Sequence, residues 1–128
     1  MITLIAITLG CGPSAEERVR GVWVGDAEAM VLDPVFAKLT GRQRATAEGV
    51  AIAMLSGVRV ELGETQCTYT AMGHRDAWPC QVVREEPREV VVYHVELPQG
   101  RRVLRAQPTP KGLELSWWDG RKLALRRP

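Results

Sequence analysis

The sequence predicts a mainly β domain of about eight short antiparallel strands, a sandwich or barrel, with a helical insert after the first strand. Three observations carry this expectation. From Val58 onward apolar residues alternate with polar ones at a period of two. Turn signals rich in Gly, Pro and Asp interrupt that alternation at short, regular spacing. Ahead of it, residues 33–55 follow a helical period instead.

The elements follow in chain order. Arg20–Gly25 (Arg-Gly-Val-Trp-Val-Gly) is the expected first strand. Asp33-Pro34 combines a cap with a proline at the first helical position, and Val35, Phe36 and Leu39 give that short helix an apolar side. Thr40 starts a second helix, with Gln43 three residues on as a capping box. Ala47, Val50, Ala51, Met54 and Leu55 form one stripe, expected to be core. Arg44 and Glu48 pair on the polar side, and Gly57 ends the helix. Val58, Val60 and Leu62 then share a strand face. Cys67, Tyr69 and Ala71 share the next, up to a break at Gly73–Asp76. Trp78, Cys80 and Val82 form the fourth face, and Val91, Tyr93, Val95 and Leu97 the fifth, with Val90, Val92, His94 and Glu96 outward. Arg102–Ala106 is short. Leu113, Leu115 and Trp117 precede a two-residue hairpin at Asp119-Gly120, and Leu123, Leu125 and Arg127 share the last parity.

A chain of 128 residues fits one domain, and 45% hydrophobic with 25% charged residues is a globular, not a disordered, composition. The formal net charge is +2: residues 1–83 carry −2 and residues 84–128 carry +4. Arg101, Arg102, Arg105, Arg126 and Arg127 are expected on solvated strand faces, and no nucleic-acid partner is expected, because no aromatics interleave with the basic residues to stack bases.

Residues 2–9 are an apolar run too short to span a bilayer as a helix but long enough for the core of a signal peptide. It ends at Leu9-Gly10-Cys11 and turns abruptly polar. This resembles the lipobox of bacterial lipoproteins. The resemblance implies that residues 1–10 are a signal segment and that Cys11 is acylated. Residues 11–19 are then a linker and residues 20–128 a single β domain. The chain would be lipid-anchored in the bacterial cell envelope, facing the periplasm or exterior. With Cys11 assigned to lipid, Cys67 and Cys80 remain, an even pair in an exported chain, expected as a disulfide. Two buried free thiols are the alternative.

Gly21-Val22-Trp23 on the first strand resembles the Gly-x-Trp signature of lipocalins and related calycin-like barrels. That resemblance implies an eight-stranded lipocalin-like barrel. In it Trp23 plugs one end and Arg127, from the last strand, lies across the ring. The short strands suggest a barrel filled by its own side chains.

Few residues suggest chemistry. His74 and His94 stand alone, without the three or four ligands a metal site needs. A Cys80–His74 pair is conceivable only if Cys80 is unbridged. Ser56 and Ser116 lack a nucleophile-elbow context. No catalytic residue, metal or cofactor is expected, and the chain is not expected to be an enzyme. Trp117 and Trp118, adjacent on a strand, should point to opposite faces, which makes Trp118 a candidate binding surface. The expected role is a structural or protein-interaction lipoprotein that docks on another envelope component. The alternative is lipocalin-like binding of a small apolar ligand or lipid.

Overall fold

Eight strands hydrogen-bond in sequence order into a closed antiparallel barrel. They are β1 (Gly21–Gly25), β2 (Arg59–Leu62), β3 (Gln66–Ala71), β4 (His74–Glu86), β5 (Val90–Leu97), β6 (Gly100–Thr109), β7 (Gly112–Ser116) and β8 (Lys122–Arg126). The structure is a computed structural model and describes residues 14–31 and 38–128. The expected signal segment, Cys11 and the short helix expected from Asp33-Pro34 lie outside the described residues. Closure runs through Val24↔Arg126 and Gly25↔Leu125, which leaves neither β1 nor β8 a free edge.

The inward parity is the one expected. Val60, Leu62, Cys67, Cys80, Val91, Tyr93, Val95, Leu104, Leu113, Leu115 and Leu125 are all buried in one core cluster. Val92 is the exception on the outward parity: it is fully buried. A β-bulge between Val82 and Arg84 sets Arg84 opposite Val92 on one side, and Arg105 pairs with it on the other. The Glu86 carboxylate accepts from both guanidiniums, at 3.1 and 3.2 Å. The two aliphatic stems therefore flank the valine.

Among the described residues three α-helices accompany the barrel: α1 (Ala15–Val19), α2 (Ala27–Val31) and α3 (Gly41–Leu55). None of them is long and apolar enough to cross a membrane. The expected linker is folded from Ser14 onward. The Ser14 hydroxyl accepts from the Glu17 amide at 3.2 Å, which caps α1, and Ala15 and Val19 are buried.

Helix α3 departs from expectation in two ways. Thr40 holds the N-cap position, but its side chain accepts no capping hydrogen bond. The next residue, Gly41, has a φ of 57°, outside the helical geometry that brings a cap hydroxyl onto the third amide. The apolar stripe is also not core as a whole. Only Ala51 and Leu55 are buried, while Val50, Ile52 and Met54 are each more than 50% exposed. The physical reason is attachment by one end. Val58 N donates to Leu55 O and Gly25 N to Val58 O, so only the last turn of α3 reaches the barrel. Arg44 and Glu48 pair as expected, at 2.7 Å.

Two turns also differ. His74 is not in a turn but starts β4. The chain reverses at Met72-Gly73, both at positive φ (53° and 78°), as a two-residue turn of the type that matches strand twist. The Asp119-Gly120 signal belongs to a three-residue loop instead, because Trp117 N donates to Arg121 O at 2.8 Å.

Burial pushes the Tyr93 hydroxyl up from 10.0 to about 12, with Glu16 adding to the shift and Arg20 opposing it. The folded value lies above the unfolded one. The associated stability is therefore fully present below pH 10 and is lost as pH rises from about 10 to 12, roughly 2–3 kcal/mol in all. Urea midpoints across that window should fall for the wild type and stay flat for Tyr93→Phe. Parallel profiles would show that Tyr93 does not carry the effect.

Candidate functional site

Antiparallel order places the connections alternately at the two barrel ends. One end carries the β2–β3, β4–β5 and β6–β7 turns together with α1. The other carries α2 and α3, the β3–β4 and β5–β6 turns and the β7–β8 loop.

The α1 end is shut. Trp23 is 5% exposed and its indole Nε1 donates to Val19 O at 2.8 Å. The Arg127 guanidinium carbon lies 3.8 Å from the Trp23 ring centroid. Its nitrogens donate to the carbonyls of Val22, Arg18 and Arg20 at 3.1, 2.8 and 3.0 Å. Arg127 thus stacks on the plug and ties down the last turn of α1 in one geometry. Gly21 permits it. A Cβ there would stand 2.8 Å from Arg127 Nη1, and its φ of 112° suits only glycine. Ion pairs of Arg20 with Glu16 and Glu64, and of Arg18 with Glu89, rim this end.

The opposite end holds an aromatic cluster. Tyr69 and Trp117 meet edge to face with centroids 5.2 Å apart, and Trp117 and Trp118 do the same at 5.2 Å. Trp78 lies 6.3 and 6.1 Å from the two tryptophans. The rings of Trp117 and Trp118 therefore do not face opposite ways. β7 ends at Ser116, and in the loop that follows both rings turn onto one cluster. Trp117 is buried and Trp118 half-buried.

Beside this cluster lies an apolar pocket of about 300 Å³, between the last turn of α3, the β3–β4 hairpin and the β7–β8 loop. Tyr69, Trp117 and Leu123 form its inner wall, and Met54 and Met72 its outer one. Met72 is 84% exposed. Arg121 and Lys122 also line it, and among the described residues no carboxylate does. Other clefts are larger, about 460 and 520 Å³ beside α2 and about 380 Å³ beside α1, but acids and bases mix on their walls, among them Asp26 and Lys111, and Glu16 and Arg20.

The remaining candidates separate. Cys67 and Cys80 form a buried disulfide across β3 and β4, with Cα atoms 5.9 Å apart. Cys80 is therefore no partner for His74, which lies exposed with Nε2 3.2 Å from Asp76. His94 pairs across the ladder with Gln81 and Val103. The Ser56 hydroxyl donates to Ala53 O. Among the described residues no three His, Cys, Asp or Glu side chains gather to hold a metal ion. Much of the basic carboxyl-terminal third is internally paired: Arg84 and Arg105 with Glu86, Arg101 with Glu96, Arg121 with Asp119. Residue parity signals Tyr69 and Leu123 as inward. Nothing in the sequence signals that Met54 and Met72, from an underpacked helix and a hairpin tip, border one pocket. No protein-family model, curated protein or solved structure matches the chain.

Proposed function

We propose that the chain is a lipocalin-like envelope lipoprotein, anchored through Cys11, whose barrel mouth binds a small apolar ligand. The single observation that carries the binding role is the mouth pocket. Its volume, about 300 Å³, reaches the range of small-molecule sites, and its inner wall is aromatic and aliphatic. It also favours ligand binding over the purely structural role expected from the short strands. Trp23 plugs one end of the barrel, whereas the pocket with the more apolar wall lies at the other. The anchor rests on the apolar run and Leu9-Gly10-Cys11. The lipocalin-like character rests on the barrel together with the Gly21, Trp23 and Arg127 arrangement.

Native mass spectrometry of the protein extracted from its own membranes tests both parts. The expected mass lacks residues 1–10 and includes acyl chains on Cys11, and the folded protein carries a small apolar molecule. A chain that retains residues 1–10 with an unmodified Cys11 overturns the anchor. An empty barrel that copurifies with another envelope protein overturns ligand binding and restores the docking role.

A further inference from the structure

The pocket wall has a charge asymmetry that specifies more than apolarity. Among the described residues that line it, Arg121 and Lys122 are cationic and none is acidic. Arg121 immediately precedes β8 and Lys122 begins it. The nearby acids are accounted for. Asp119 accepts from Arg121 Nε at 2.8 Å and from the Arg121 amide at 3.1 Å. Glu114 lies 3.7 Å from Lys122 Nζ, and Asp76 is engaged with His74.

The pairing leaves donors over. Only Nε of Arg121 is held by Asp119. Its two terminal nitrogens have no hydrogen-bond partner among the described residues, and the guanidinium carbon lies 5.9 Å from the Trp117 ring centroid, at the pocket wall. Asp119 thus orients the fork without using its outer donors, the pair of parallel N–H groups that matches a carboxylate or phosphate. Lys122 adds an ammonium two-thirds exposed to solvent. Unbranched Met54 and Met72 side chains adapt to a flexible chain better than branched ones do.

We infer that the ligand is an amphiphile with one anionic head, its apolar chain in the pocket and its carboxylate or phosphate at Arg121 and Lys122. This rests on the ligand-binding reading above and narrows it. The probes are decanoate, decanol and decyltrimethylammonium, titrated against the purified protein and read by the fluorescence of Trp78, Trp117 and Trp118.

Decanoate should bind about five- to tenfold more tightly than decanol, as one charge-assisted contact at a solvent-facing rim allows. The cation should bind worst. In Arg121→Gln/Lys122→Gln the decanoate preference should disappear while decanol affinity stays within about twofold. Ala51→Trp, which fills the pocket from α3, should weaken both and so place the site. Equal or tighter binding of decanol to the wild type overturns the anionic head and leaves the apolar pocket standing. If neither probe binds, or Ala51→Trp changes nothing, the ligand-binding reading falls with it.

Discussion

Trp23→Ala should destabilise the barrel by about 3–5 kcal/mol, the cost of deleting a large aromatic from a site that cannot collapse around the gap. Trp23 is held from every side. Its ring is buried, its indole N–H is bonded to Val19, and Arg127 covers it. Removing it also leaves the Val19 carbonyl without its indole donor. Arg127→Ala acts on the same unit by another route. It removes a cation–π contact worth about 0.5–2 kcal/mol and the donors to three backbone carbonyls. α1 should therefore undock before the barrel unfolds. Urea unfolding measures the first effect. Hydrogen exchange at residues 15–20 measures the second, with protection lost in Arg127→Ala and largely kept in Trp23→Phe. Unchanged protection in Arg127→Ala would mean that α1 is held by Ala15 and Val19 packing alone, and the locking role of the arginine would be wrong.

The two barrel ends were not equally legible in the sequence, and the reason is physical. The Trp23 end depends on strand parity and on one close approach. Both leave marks on a sequence: alternation that runs to Arg127, and a glycine two residues before the tryptophan. The mouth depends on where connections settle, which alternation does not encode. The stripe on α3 reads as core because its spacing is that of a packed helix. The structure attaches the helix by its last turn, and Val50 and Met54 remain in solvent. Likewise Trp117 and Trp118 obey the alternation rule only while the strand lasts, and it ends one residue earlier. At Met72-Gly73 the turn uses a left-handed methionine, a residue that carries no turn signal, so the reversal reads as lying later, near His74. These three misreadings fall at the mouth, where local rules are weakest and the candidate site lies.

Replacing Cys67 and Cys80 together by alanine should cost about 3 kcal/mol. The bridge joins residues 13 apart, and the chain-entropy estimate for a loop near that length is about 3 kcal/mol. The domain should still fold, because β3 keeps its ladders to β2 and β4 without the bridge. A loss of that size lowers the melting temperature by roughly 10 °C or more in a domain near this size. The cross-link also bears on the mouth. Cys67 lies two residues before Tyr69 on β3, and β4 carries Trp78 two residues before Cys80, so both strands of the bridged hairpin supply rings to the aromatic cluster beside the pocket. The cross-link limits how far that hairpin can splay. The double alanine variant should therefore loosen decanoate binding as well as stability, even at a temperature where it is fully folded. Thermal melts and the fluorescence titration read the two effects separately. Thiol labelling of the denatured, unreduced wild type should find neither cysteine reactive. Two reactive thiols at these positions, or a double variant that melts with the wild type, would remove the bridge from the account of how the mouth is held.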